Sequence, residues 1–240
     1  MVNIENIKDI SGVSIDDTPT EEYKLEAIFK KQKELIERYH PIEVKSGLRL
    51  TGDCPVNLND AKGQMVLKDY AQRFLEEIGE ALEAYNLHRD NPVHMLEEIS
   101  DALHFLTELT IHAGYGPDFF LTQDKYKLEK LFYNAEELIG SDENLPMNYR
   151  ISFRHRTYGN LLIASGITLE AMGKTCNCLR QKPWKQSQVL TDISKFQKCL
   201  YDTWLRFIGL CITAGITEDM LFKLYLDKNS VNQFRIRSNY

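Results

Sequence analysis

Apolar residues in this chain recur every three or four positions almost from end to end, and the alternation a strand requires is nearly absent. A chain so patterned buries its hydrophobic surface by packing helix on helix, so the expected fold is all-α, a bundle of about seven helices. Residues 1–20 carry no such pattern and read as an N-terminal arm; 21–240 reads as a single domain. Within it, Gly, Pro, Asn and Asp punctuate the helices. The first covers 21–39 and stops before Pro41, and the second covers 60–88, capped by Asn59 or Asp60. A third opens at Asp90 or Asn91 with Pro92 and ends near Gly114. Residues 115–150 read as an insertion, with a helix over 123–138 and a turn-rich stretch from Gly140 to Asn144. Three more helices cover 158–179, 188–214 and 217–234.

The two halves echo one another. Asp101 precedes Ile111-His112-Ala113-Gly114 by the spacing with which Asp202 precedes Ile212-Thr213-Ala214-Gly215, and Asp118 and Asp219 then fall at matching positions. Two degenerate helical hairpins stacked into one bundle account for this; two unrelated helices that both end at a glycine are the simpler alternative.

The chemistry is concentrated in Glu76-Glu77-Ile78-Gly79-Glu80 on the second helix and Glu97-Glu98-Ile99-Ser100-Asp101 on the third. Residues three apart share a helix face, so Glu77 converges with Glu80 and Glu98 with Asp101. The intervening stretch is long enough to bring the second helix back antiparallel to the first. Four carboxylates meeting across two helices repel one another unless a hard cation sits between them, and magnesium takes oxygen ligands while bridging to substrate phosphates. Glu-rich faces are commonly just solvated. Here the flanks are strongly apolar (Phe74, Leu75, Ile78 and Leu82; Leu103, Phe105, Leu106 and Leu109), and Glu77 and Glu98 fall at the borders of the apolar stripes. A di-iron bundle needs two Glu-x-x-His units, and only Glu37-Arg38-Tyr39-His40, at a helix end, fits. Gly173-Lys174-Thr175 lacks the earlier glycine and the preceding strand of a phosphate-binding loop.

A net charge of −6 argues against a duplex-wrapping protein, which needs a basic stripe, so no stable nucleic-acid binding is expected. It leaves room for a nucleotide, because a bound divalent ion reverses the local field. Five cysteines, an odd number without a Cys-x-x-Cys pair, indicate neither a disulfide framework nor a zinc site. Without a leader-like start or a long apolar run, the expected setting is cytoplasmic, with no membrane partner.

The pattern Glu77-x-x-Glu80, a gap, then Glu98-x-x-Asp101-Ala102-Leu103-His104-Phe105 resembles the all-α nucleotide pyrophosphatases, which include the MazG proteins and the dimeric dUTPases. The segment Tyr225-Leu226-Asp227-Lys228-Asn229-Ser230-Val231-Asn232-Gln233-Phe234-Arg235 is similar to a signature of the dimeric dUTPases and the T-even phage dCTP/dUTP pyrophosphatases, as is Gly215 to Leu224 before it. Phe29-Lys30-Lys31-Gln32-Lys33-Glu34-Leu35 resembles the first helix of that family, whose glutamine faces the base.

The resemblance implies magnesium, with manganese as the alternative, on Glu77, Glu80, Glu98 and Asp101, and a catalytic role for Glu76 or Glu77 in orienting water. It implies that His104 meets the sugar 3′-hydroxyl, that Phe105 packs on the deoxyribose, and that Gln32 meets the base. Lys228, Asn229, Asn232, Arg235 and Tyr240 are implied to hold phosphates and close the site. The implied reaction is hydrolysis of dUTP or dCTP to dNMP and pyrophosphate by a homodimer, in a host cytoplasm if the gene is a phage's. Three features depart from the pattern. Ile36 stands where the family has an asparagine, the ending reads Arg235-Ile236-Arg237-Ser238-Asn239-Tyr240, and a Trp-Lys element appears only at Trp184-Lys185. Base recognition is therefore the open part. The competing readings are a broader house-cleaning enzyme acting on purine or modified dNTPs, and a catalytically inactive helical binding protein.

Overall fold

The computed structural model describes residues 23–47, 49–88, 91–120, 128–182, 184–187 and 189–238. The expected arm at 1–20 lies outside the described residues. Among the described residues eight α-helices follow one another: α1 Lys24–Ser46, α2 Ala61–Leu87, α3 Val93–His112, α4 Leu128–Ser141, α5 Met147–Ser152, α6 Tyr158–Cys178, α7 Ile193–Thr213 and α8 Glu218–Arg237. A 3₁₀ turn, Pro117–Phe120, follows α3, and no strand occurs among the described residues. The all-α expectation holds. The one helix beyond the seven read from the sequence is α5, which follows the turn-rich stretch Gly140 to Asn144. At six residues it is too short to print a period, and it is held instead by Tyr149, 1% exposed, with its hydroxyl 3.3 Å from the Thr213 hydroxyl on α7.

The first helix is longer than its sequence suggests. It passes through Pro41 and ends at Ser46, where Gly47 adopts a left-handed cap. Proline inside a helix costs a hydrogen bond. Here the residues around it lie largely at the surface, where water replaces the lost donor, and Arg49 anchors the last turn through an ion pair with Glu43. The cap expected at Asn59 or Asp60 is Asp60, whose carboxylate accepts from the amides of Lys62 and Gly63.

Two antiparallel hairpins form the body. In the first, the Val56 amide before α2 donates to the His112 carbonyl at the end of α3 (2.8 Å). In the second, α6 and α7 pair through Thr175 and Thr203 hydroxyls 2.9 Å apart and through Thr168 donating to the Arg206 carbonyl. The ends of the two echoing helices match, as both readings of the echo expect. Both α3 and α7 end at a glycine of positive φ (Gly114, 89°; Gly215, 79°), with matching closing bonds from Gly114 to Ile111 and from Gly215 to Ile212. The hairpins join at Trp204 of α7, fully buried, whose indole donates to Thr110 of α3 and stacks 6.1 Å from Phe29 of α1.

The segment read as an insertion is part of this core where it is described. Leu128, Leu131, Phe132, Ala135 and Ile139 of α4 are buried, and Ile139 approaches Gly209 of α7 so closely that a Cβ there would meet it at 2.8 Å. Asp142 then pairs with Arg206 at 2.7 Å. Finally, α1 and α8 pack on α3, placing three helices around the face that carries the acidic residues.

Candidate active site

On α2, Phe74, Ile78 and Ala81 are buried, and on α3 so are Ile99, Ala102 and Leu103. Burying those stripes against each other turns the border positions Glu77, Glu98 and Asp101 toward the seam. One carboxylate oxygen from each lies within 4.8 Å of the others. Glu98 is buried, and Glu77 and Asp101 are half-buried. Burial, then the Asp101 charge and a shared hydrogen bond with Glu98, pushes the Glu77 carboxyl up to about 8. Burial also raises Glu98 and Asp101, opposed by His94 for the former and Lys228 for the latter. His94 Nδ1 lies 3.0 Å from Glu98, and Lys228 of α8 forms an ion pair with Asp101. Three mutually repelling, oxygen-only donors in a half-dry seam fit a hard divalent cation.

Glu80 lies one turn further along α2, exposed and outside the converging trio, although its charge acts on Glu77 and Glu98. Glu76 is exposed and accepts from Gln72 at 3.1 Å, away from the trio. On α8, which is tied to α3 by the Ser100 hydroxyl donating to the Leu224 carbonyl, Lys228 meets the site and Asn229 follows it in the chain. The Asn229 amide nitrogen is buried without a hydrogen-bond partner. Asn232 is half-buried two turns from the start of that motif, and the Arg235 charge reaches Asp101. Tyr240 lies outside the described residues.

His104, one turn beyond Asp101, is buried. Its ring stacks on Tyr225 at 4.3 Å, its Nδ1 lies 2.8 Å from Gln32 Oε1, and its Nε2 has no partner. Burial pushes it down to about 3, so the ring is neutral at physiological pH. With Nδ1 donating to Gln32, Nε2 is a bare acceptor. Phe105 is half-buried beneath the Arg73 guanidinium, 5.8 Å from its ring.

Gln32 is where the structure redirects the sequence reading. It is 1% exposed, its oxygen also takes the Tyr225 hydroxyl at 3.0 Å, and its nitrogen donates to Glu108 at 3.4 Å. Its amide is engaged inside the protein. Glu108 was not singled out in the sequence; the available signal was a lone acid in the apolar run Leu106-Thr107-Glu108-Leu109.

The family model for dUTPase matches residues 24–240, from the first residue of α1 through the α8 motif. The chain belongs to the dUTPase family. This places it among the nucleotide pyrophosphatases and identifies it as an enzyme. Comparison with curated proteins and with solved structures finds no match. The matched span contains every described helix and all three members of the carboxylate trio. In this dUTPase-family chain, no helix among the described residues is long and apolar enough to cross a membrane.

The trio makes a prediction for the metal-free protein. Glu77 titrates higher folded than unfolded, so its contribution to stability is complete below its ordinary range and is lost as pH rises through about 8. Between about pH 7 and 8.5, above the range in which His104 and His112 matter, melting in EDTA should therefore fall. Magnesium at about a hundred times its Kd should add about 2.7 kcal/mol and remove most of that slope. Calorimetry with and without metal checks both; a flat, metal-insensitive melting temperature contradicts the site.

Proposed function

We propose that the chain hydrolyses a pyrimidine dNTP, dUTP or dCTP or both, to dNMP and pyrophosphate, with magnesium held by Glu77, Glu98 and Asp101 and, through its outer position, Glu80. The observation that carries the reading is the convergence of that trio beside Lys228, inside a chain of this family. Bound magnesium, or manganese in its place, neutralises phosphate charge and makes water a competent nucleophile near neutral pH.

The chain's own residues do the rest. Lys228 and Arg235 approach the trio from α8 and pair with phosphate oxygens. Asn229, with a free buried amide nitrogen, and Asn232 add neutral donors. His104 Nε2 accepts from the sugar 3′-hydroxyl, and Phe105 packs on the deoxyribose where a 2′-hydroxyl fits poorly. Water attacks the α-phosphorus in line, the bond to the bridging oxygen breaks, and pyrophosphate leaves. Glu77 takes the water's proton, a role for which the exposed, outward Glu76 is poorly placed.

A homodimer belongs to the same proposal. Its support is the exposed Tyr158, Leu162 and Leu169, which share one face of α6.

The test is pyrophosphate release from dUTP, dCTP, dTTP, dATP, dGTP and UTP with magnesium, with manganese and with EDTA. Metal-dependent cleavage confined to dUTP, dCTP or both is expected. Preference for purine dNTPs would move the reading to a house-cleaning enzyme, and no cleavage of any substrate would reject it.

A further inference from the structure

The acidic trio is one end of a longer polar strip. Along α3, Glu98, Asp101, His104 with Phe105, Glu108 and His112 recur every three or four residues. Seven residues separate Asp101 from Glu108, two turns or about 10 Å of helix. That matches the reach of a nucleotide from its α-phosphate to the pairing edge of its base. The phenol of Tyr39, on α1, is influenced by Arg235 and Asp101 at one end and by Glu108 and Glu43 at the other, so it overlooks this strip.

Glu108 is 9% exposed. It receives Gln32 from α1 and Tyr70 from α2, and the charges facing it are Glu43 from α1, Arg73 from α2 and Arg49 from the following loop. His112, stacked on Tyr70 at 4.9 Å, has neither ring nitrogen bonded; Arg49 Nη2 and His104 Nε2 are also buried without partners. Buried polar atoms are nearly always paired in a finished core, and several orphans along one strip mark a place a ligand completes. One turn beyond Gln32 and Glu108, Ile36 and Ile111 open onto a cleft of about 780 Å³ between α1, the Gly52–Pro55 loop and Tyr115.

We propose that Glu108 is the base-reading residue, its carboxyl forming a pair of hydrogen bonds with the N3 and position-4 edge of a pyrimidine. This rests on the pyrophosphohydrolase reading. Two observations direct the role here. Gln32 commits both lone pairs of its oxygen to His104 and Tyr225 and an N–H to Glu108, whereas Glu108, which accepts from Gln32 and Tyr70, keeps further lone pairs on its two oxygens; position 36, one turn further on α1, is an isoleucine without hydrogen-bonding capacity. A neutral carboxyl carries one donor and one acceptor on adjacent oxygens. With uracil, the hydroxyl donates to O4 and the carbonyl accepts from N3–H. With cytosine, the hydroxyl donates to N3 and the carbonyl accepts from the 4-amino group. One residue thus accommodates both pyrimidines. Burial, with the nearby Glu43 charge, pushes this acid up to about 7, which keeps the neutral form available.

The test compares dUTP with its N3-methyl analogue, in which the edge is blocked, on the full chain with magnesium. Wild type should cleave N3-methyl-dUTP at least about tenfold less efficiently in kcat/KM, the scale of a buried hydrogen-bonding group left unpaired. Glu108→Met, which keeps the volume, should raise KM for dUTP by about tenfold with kcat little changed, and should treat the two substrates alike. Glu108→Gln, which keeps a donor and an acceptor, should restore most of the discrimination. Equal cleavage of both substrates by wild type overturns the proposal without any variant being folded. So does a Glu108→Met protein that loses activity on both in the same proportion, the behaviour of a purely structural residue. Wild type that cleaves no dNTP overturns the pyrophosphohydrolase reading itself, which separates the two failures.

Discussion

Glu77→Gln should lower kcat/KM by at least about 10³-fold, because a bound cation supplies several kcal/mol of charge stabilisation and each 1.4 kcal/mol is tenfold in rate. The same change should raise the melting temperature of the metal-free protein at pH 8. Glu77, Glu98 and Asp101 crowd three acids into one seam, and removing a negative charge relieves that repulsion. Asp101→Asn should be equally inactive but gain no stability, since it strands Lys228, whose ammonium it now pairs. Circular dichroism and steady-state kinetics on the two variants check the contrast. Opposite signs for activity and stability are the mark of residues kept for chemistry. Loss of stability in Glu77→Gln would instead make the trio a structural device.

Trp204→Ala should be the most damaging change in the core. The indole is fully buried, meets Phe120 edge-on at 5.0 Å, stacks on Phe29 and donates to Thr110, linking α7 to α1 and α3. Removing a buried aromatic of this size costs about 3–5 kcal/mol, equivalent to roughly 10 °C in a chain of this length. The other tryptophan is the control: Trp184 is 76% exposed, and its replacement by Ala should change stability by no more than about 0.5 kcal/mol. Thermal melts of both decide it. Equal effects would mean that the two hairpins are not joined through Trp204.

What could be read from the sequence depended on whether the information was periodic. The stripes of α2 and α3 are long and strongly apolar, so their existence, their antiparallel return and the convergence of Glu77 with Glu98 and Asp101 all followed from helical spacing. The same spacing grouped Glu80 with Glu77, and Glu80 lies one turn further along α2 at the exposed rim of the seam, where its charge still acts on Glu77 and Glu98. Boundaries failed where tertiary contacts outweighed local signals. Pro41 did not stop α1, because Gly47 and the Arg49–Glu43 pair define its end. Helix α5 was invisible because one buried tyrosine holds it rather than a repeating face.

At the site, the resemblance gave Gln32 a base-facing role, and only the fold could show its amide engaged by His104, Tyr225 and Glu108 from two other helices. No local pattern carries a contact between residues so distant in the chain. Tyr70, Arg49 and Tyr39 enter the same region for the same reason, from α2, a loop and α1.

Hydrolysis of dUTP or dCTP in ¹⁸O-water with magnesium shows whether water attacks the α-phosphorus. Attack there yields a nucleoside monophosphate carrying the heavy oxygen and unlabelled pyrophosphate. Label in pyrophosphate, or release of orthophosphate in its place, would contradict that attack.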